Sequence, residues 1–172
     1  MATVGGSIVH GRGGITIGAP AVWSADGELA DSLTLPPLAR STAQPANPTG
    51  NSTSTPTMMG LAGSVTPKST GNVLLMFSGT VFNPTAIADG VTIQISYGTG
   101  SAPANAAVLQ GTQVGTVQRY IASTTAGKSP FSLNAYVTGL VVGTAYWLDL
   151  AVADSAGGTA TITDVNIIAI EV

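Results

Sequence analysis

The chain contains no cysteine and one histidine, His10. The lack of cysteine excludes disulfides, thiolate catalysis and zinc–sulfur sites. Any Ser-His-Asp triad would need His10, and the sequence has no Gly-x-Ser-x-Gly nucleophile elbow. His10 lies in a glycine-rich stretch without an identifiable partner, which favours hydrogen bonding at an interface over catalysis. We therefore expect no catalytic residue, cofactor or metal site, and no enzymatic activity.

Charge is also scarce. Charged residues make up 8% of the chain, against about 25% in ordinary soluble domains, and the mean hydropathy is +0.39. The formal net charge is −3 and the five basic residues are dispersed, which disfavours nucleic-acid binding because phosphate contacts need clustered cations. Polar residues interrupt the long uncharged stretches, so no membrane span is expected. A surface this poor in charge predicts packing against copies of the chain or other subunits.

Residues 41–57 (STAQPANPTGNSTSTPT) are almost entirely small or polar and include three prolines. Such a segment has too little apolar surface to fold by itself, which is typical of an extended linker. It predicts two parts: an extended N-terminal arm with its linker, residues 1–57, and a domain, residues 58–172.

The second part is predicted to be all-β. Residues 91–97 alternate, with Val91, Ile93, Ile95 and Tyr97 on one side and polar residues on the other. Turn sequences separate further strand candidates at 61–66, 72–81, 113–121, 131–137, 145–153 and 160–172. Residues 102–110, rich in alanine, are the one short candidate for a helix and for a crossing between sheets. Strands in this number predict an antiparallel double-sheet jelly-roll sandwich, with an immunoglobulin-like sandwich as the alternative.

Three of these strands are apolar on both faces, although a sandwich strand normally turns one face to water. Double-sided burial predicts an oligomer interface on one face, and the alternative is that the arm folds back over it. The residues assigned to this interface are Trp147, Ile167, Ala169, Leu74 and Met76.

Three further groups of residues could in principle form a binding or catalytic site, but a structural role is favoured for each. Asp149, Asp154 and Asp164 could meet around a cation, but they lack the compact acidic loop of a calcium site, and turn capping is favoured. Asp26, Glu28 and Asp31 are favoured as a polar turn over a catalytic carboxylate pair. Trp147 and Tyr146 could stack on a sugar, but aromatic residues within a sandwich strand are favoured as core or subunit interface.

Apolar clusters are spaced along the first forty residues of the arm and are too small to form a core. They suit successive pockets on a partner, and the arm-anchoring residues assigned from them are Trp23, Ile15, Ile17 and Leu35.

Residues 137–151 (VTGLVVGTAYWLDLA) and 162–172 (ITDVNIIAIEV) together resemble the closing strands of tailed-phage virion proteins that carry a small trimeric jelly roll similar to tumour necrosis factor and C1q. The resemblance covers residues 58–172 and implies a structural virion protein of the capsid-decoration or head-fibre type. It implies a homotrimer on the virion surface, and the arm would bind the major capsid protein or another virion protein. Two alternatives remain open: a receptor-binding or tail-fibre tip that recognises a host glycan, and a small carbohydrate-active enzyme.

Overall fold

The structure, a computed structural model, describes residues 37–83, 90–121, 127–155 and 158–172, and the backbone of 21–23 and 29–31. The chain divides into two units, Met1–Pro37 and Leu38–Val172. In the first unit, β1 (Ala21–Trp23) pairs antiparallel with β2 (Leu29–Asp31).

The second unit consists of two antiparallel sheets. Its described strands are β3 (Arg40–Ala43), β4 (Thr57–Met58), β5 (Gly63–Val65), β6 (Val73–Phe82), β7 (Gly90–Thr99), β8 (Thr112–Ile121), β9 (Ser129–Val137), β10 (Tyr146–Asp154) and β11 (Thr161–Glu171). The four-stranded sheet has the order β3-β11-β6-β9. The five-stranded sheet has the order β4-β10-β7-β8, and β5 pairs with β10 beside β4.

The connections follow a jelly-roll path. The chain passes from β6 in the four-stranded sheet to the β7–β8 hairpin in the other, and then changes sheet at each step through β9, β10 and β11. This confirms the predicted all-β jelly-roll sandwich, and every predicted strand has a counterpart among β5 to β11.

Alternation of side chains builds the core. The inward positions of β6 (Val73, Leu75, Phe77 and Val81) are buried, as are those of β9, and they face the buried isoleucines of β7 and leucines of β10. The sheets approach closely where glycine removes a side chain: a Cβ at Gly63 would lie 2.8 Å from Cδ1 of Ile167. The sequence alternation therefore identifies the inner face of most strands.

The predicted boundary between residues 57 and 58 is wrong, because the compact unit begins at Leu38. Residues 40–43 form β3, which pairs with β11 in register from Arg40 opposite Ile170 to Ala43 opposite Ile167. Asn51 is buried, exchanges backbone hydrogen bonds with Ala160, and donates its side-chain amide to the carbonyl of Val152 at 2.8 Å. The polar composition of this segment thus serves main-chain pairing within the sandwich.

Residues 102–110 do not form the short helix considered from the sequence. They connect β7 to β8, which belong to the same sheet, and run along its outer side, where Met58 donates its N–H to the carbonyl of Ala107 at 2.9 Å. The described part of the chain has no helix long and apolar enough to cross a membrane.

Candidate functional site: the outer face of the four-stranded sheet

The outer face of the four-stranded sheet presents aligned rows of side chains. One row runs from Arg40 through Ile170 and Leu74 to Tyr136, and the next from Thr42 through Ile168 and Met76 to Asn134. We call Leu74, Met76, Ile168 and Ile170 the outer apolar patch. All four belong to the two central strands, and they are half-buried by their neighbours in the sheet.

The outer apolar patch continues into exposed apolar residues at one end of the strands. Leu38 precedes Arg40 by two residues and is 42% exposed, and Val172 follows Ile170 by two residues and is 49% exposed. Tyr136, beside Leu74 in the register, is 57% exposed. Within the rows from Arg40 to Tyr136 and from Thr42 to Asn134, Arg40 is the one charged residue, and beyond them the face becomes polar at Asn166, Ser78 and Ser132. At that far end Asp164 of β11 is exposed, and Nζ of Lys128 lies 5.3 Å from the ring centroid of Phe82. An apolar, nearly uncharged sheet face of this kind is typical of a protein–protein contact.

The structure places the predicted interface residues of the four-stranded sheet on two different faces. Leu74 and Met76 belong to the outer apolar patch. Ile167 and Ala169 point inward and are 2% and 0% exposed, so their assignment to an intersubunit face is wrong. The residues of β11 that accompany Leu74 and Met76 are Ile168 and Ile170.

Trp147 is the fifth predicted interface residue, and its own chain covers it. It is 7% exposed and packs with Met58 and Ala151, with Ala107 against the group. Its indole N–H donates to the carbonyl of Thr99 at 3.1 Å. A Cβ at Gly98 would come within 2.5 Å of its ring, so glycine at this position leaves room for the indole.

The burial of β10 on both faces is therefore explained by its own chain, without a second subunit. Every residue from Tyr146 to Asp154 is buried, because Met58 and the β7–β8 connection lie over the outer face of this strand. The sequence left open whether a subunit or the arm covers this face, and the structure covers it with a different segment. Tyr146 and Trp147 accordingly offer no surface on which a sugar could stack.

A buried carboxylate closes the end of the sandwich beside the outer apolar patch. Glu171 is fully buried and accepts hydrogen bonds from the backbone N–H groups of Ala39 at 2.8 Å and of residues 68–71 at 2.6 to 3.2 Å. Burial by itself would raise the pKa of Glu171, but the hydrogen bonds outweigh it and hold the pKa well below its usual range. Glu171 thus joins three segments: the start of β3, the β5–β6 loop and the last strand.

The aspartates considered for a cation site lie apart and serve other contacts. Burial raises the pKa of Asp149, although its carboxylate accepts the N–H groups of Leu61, Leu150 and Gly60. Asp154 accepts from the side-chain amide of Asn83 and the N–H of Gly158, whereas Asp164 is exposed. Among the residues described here, no three acidic or histidine side chains cluster to hold a metal ion.

The candidates in the first unit lie largely outside the described residues. These are Ile15, Ile17 and Leu35 of the anchoring set, together with His10, Asp26 and Glu28. Trp23 belongs to β1 and Asp31 to β2, and for both only the backbone is described. The anchoring assignment stays a prediction.

Four residues of this region were not predicted from the sequence: Ile168, Ile170, Tyr136 and Glu171. A signal for the first two was present, because Asn166 shares their side of β11 and a polar residue at that spacing indicates the outer face. Glu171 gives the opposite signal. It lies on the same side of β11 as Ile167 and Ala169, and a charged residue ordinarily indicates an exposed face.

Comparison with known proteins identifies no family for this chain. No protein-family model matches the chain, and no curated protein matches it in sequence. One solved structure that matches is the structure of Eiger TNF from S. frugiperda, with 14% sequence identity and a TM-score of 0.41. The match covers 80% of this chain and 93% of that chain. A similarity of this size says nothing about activity or partners.

Proposed function

We propose that the chain is a non-enzymatic structural protein of a virus-like particle, of the capsid-decoration or head-fibre type. In this proposal the jelly roll forms a homotrimer through the outer face of the four-stranded sheet, and the N-terminal unit attaches it to the major capsid protein or another virion protein. The observation that carries the proposal is the outer apolar patch, whose four half-buried side chains are not part of the described core clusters.

The size of this face fits a subunit contact. Strands spaced about 4.8 Å apart and rising about 3.3 Å per residue give three strands of about ten residues and one of four a face on the order of 500 Å². A specific interface needs roughly 1,000 Å² in total, or about 500 Å² per partner. Exposed Leu38, Tyr136 and Val172 enlarge the apolar part of the face at one end.

The chemistry of the face favours a second copy as the occupant. A partner chosen by charge would need complementary ions, but in the two rows that contain the outer apolar patch Arg40 is the one charged residue. Around a three-fold axis each copy places one part of this face against a different part of the next copy's face. These parts meet without like-charge repulsion at their apolar centre, and burying them removes apolar surface from water at about 25 cal/mol per Å². The low charge of the whole chain, 8% of residues, is consistent with a protein that is always packed in an assembly.

The assignment to a particle rests on the resemblance of residues 137–151 and 162–172 to the closing strands of tailed-phage virion proteins. The division at Pro37 supports a two-part design, because the compact unit contains its own core without residues 1–37. This leaves the first unit available for attachment. Several docked copies in one oligomer would raise avidity without a tight individual site.

The test is native mass spectrometry of the full chain at micromolar concentration. We expect a trimer, because burying the outer apolar patch stabilises the association. A stable monomer at these concentrations contradicts the proposal. An oligomer of another order would keep the interface and reject the three-fold assembly that the resemblance implies.

A further inference from the structure

The edge strand β3 is held much less firmly than its neighbours. It has four residues, and its side chains alternate between exposed and half-buried. Among the described strands it pairs with β11 alone, whereas β11 also pairs with β6 along most of its length. Short elements with little buried apolar area open at lower free energy than core strands. We therefore expect β3 to detach while the rest of the sandwich stays folded.

The start of β3 depends on Glu171. Ala39 donates its N–H to the carboxylate at 2.8 Å, and its carbonyl accepts the N–H of Glu171 at 2.8 Å. Ala39 is 5% exposed and belongs to the core cluster. These two hydrogen bonds, which we call the Ala39–Glu171 latch, tie the start of β3 to the last strand.

Residues 44–50, between β3 and Asn51, have the features of a hinge. They include Pro45 and Pro48, contain no strand and are mostly exposed. Two exposed side-chain contacts secure them: Asn47 accepts the N–H of Asp164 at 2.8 Å, and Thr49 pairs with Asn105. From Asn51 onwards the chain is fixed by the buried contacts to Val152 and Ala160.

The hinge is long enough to reach a second copy. Residues 44–50 span up to roughly 23 Å when extended, at about 3.3 Å per residue. Sheets packed face to face lie about 10 Å apart. Ile168 and Ile170 of the outer apolar patch are themselves residues of β11, so a copy docked on this face brings its own β11 within that distance.

We propose that β3 exchanges between copies: the β11 edge of one protomer accepts β3 of another, in the register that β3 has in its own chain. Exchange keeps every main-chain hydrogen bond of the strand but makes it between protomers, with the hinge of each chain crossing to its partner, which is a known low-cost route to assembly. Glu171 then positions the incoming strand through Ala39. This inference rests on the proposed self-assembly and identifies the strand that joins the copies.

The test uses cysteine pairs, which the cysteine-free sequence makes unambiguous. Ser41 lies directly opposite Ala169, and Ala169 is fully buried, so a thiol at 169 reacts with a thiol at 41 only when β3 is in place. A Ser41→Cys chain and an Ala169→Cys chain are mixed as preformed oligomers, incubated and oxidised. We expect a disulfide-linked heterodimer on a non-reducing gel, confirmed by peptide mass.

The matched control is the pair Leu75→Cys and Ala135→Cys. These residues are also opposite each other and buried, but they lie on β6 and β9, away from the hinge. Mixing those two single variants should give no heterodimer. Glu171→Gln weakens the Ala39–Glu171 latch and should speed formation of the 41–169 disulfide severalfold. Asp149→Asn alters a buried carboxylate that accepts N–H groups from Gly60, Leu61 and Leu150 and none from β3, so it should leave this rate unchanged.

The outcomes separate this inference from the proposed function. If the chain is oligomeric but the Ser41→Cys/Ala169→Cys double variant forms only internal disulfides and the mixed single variants form none, β3 stays in its own chain and the exchange is wrong, while the oligomer stands. If the chain is monomeric, both fail. If the control pair also cross-links between chains, the link reports general unfolding and the exchange is rejected.

Discussion

Ile167 and Ile168 are consecutive residues of β11 with opposite surroundings. Ile167 is 2% exposed and lies in the core opposite Gly63, whereas Ile168 is half-buried on the outer face beside Met76. The same side-chain type therefore serves the stability of the monomer at one position and is available for contact between subunits at the next.

This relationship predicts opposite results for the same substitution at neighbouring positions. Ile167→Asp should unfold the monomer, because an unpaired buried charge costs several kcal/mol against a total stability of about 5–15 kcal/mol. Ile168→Asp leaves its charge in water in the monomer, so the fold should persist while the oligomer dissociates. Circular dichroism measures the first effect and native mass spectrometry the second. An Ile168→Asp variant that remains fully oligomeric would place the interface elsewhere.

The two isoleucines also show how far the sequence could predict this protein. Period-two alternation was sufficient for the strands and for the inner faces of β6 and β9, because their outward positions include polar residues such as Ser78 and Ser132. It was not sufficient for β11, where both faces are apolar and the register shifts between Thr163 and Asn166. The sequence does not reveal that the inward Glu171 meets backbone N–H groups from residues more than a hundred positions away.

The N-terminal boundary was mispredicted for a related reason. Composition measures the apolar area that a segment can bury, and residues 41–57 have little of it. Their order comes from main-chain pairing with β11 and from one buried amide, Asn51. Such contacts depend on which strand edge is available in the fold, and a single sequence contains no direct signal of that.

We expect Glu171 to stabilise the fold at neutral pH and to lose this contribution in acid. Its pKa is lowered in the folded protein, so its contribution is present above the ordinary glutamate pKa of about 4.3 and is lost as the pH falls below it. Glu171→Gln should lower the urea midpoint at pH 7. The difference from the wild type should narrow as the pH falls below about 4.3, because the unfolded glutamate then takes up a proton while the folded carboxylate resists protonation. Midpoints measured across this range test the prediction, and a difference that does not vary with pH would contradict it.

The carboxyl group of Asp149 provides the contrast for that experiment. Burial raises its pKa, so its ionisation opposes folding as the pH rises through the folded-state value. The wild-type pH profile combines the two opposite dependences, and for this reason the comparison uses the difference between wild type and Glu171→Gln. Asp149→Asn should not reproduce the narrowing towards acid.

Replacing Trp147 should lower the stability of the monomer without changing the oligomer that it forms. Its ring fills the space between Met58, Ala151 and the β7–β8 connection, and truncating a buried tryptophan costs about 3–5 kcal/mol. Trp147→Ala should therefore lower the urea midpoint strongly. Under native conditions the folded fraction should keep the wild-type oligomer, because the residue lies away from the outer apolar patch. Selective loss of the oligomer with unchanged stability would restore the original interface assignment.

Truncating the chain from the N-terminus should show which residues are needed for folding and which for attachment. A chain that starts at Leu38 keeps β3, Ala39 and the Glu171 contacts, so it should fold and oligomerise like the full protein. A chain that starts at Met58 loses β3 and the buried amide of Asn51, and it should be markedly less stable, contrary to what the predicted boundary at 57 implies. Thermal unfolding of the two truncated chains measures this difference.

Binding of the protein to the particle should depend on the first unit, residues 1–37. The chain that starts at Leu38 should fail to co-sediment with particles that lack the protein, whereas the full chain should bind them. Within the full chain, Trp23→Ala should weaken binding, because large aromatic side chains tend to dominate interface energy, and Trp147→Phe, which keeps an aromatic core residue, is the matched control. The expected loss for an anchor of this kind is about 2 kcal/mol or more, a factor of roughly thirty in affinity. Normal co-sedimentation of the chain that starts at Leu38 would show that the jelly roll makes the particle contact itself, and residues 1–37 would then have no part in attachment.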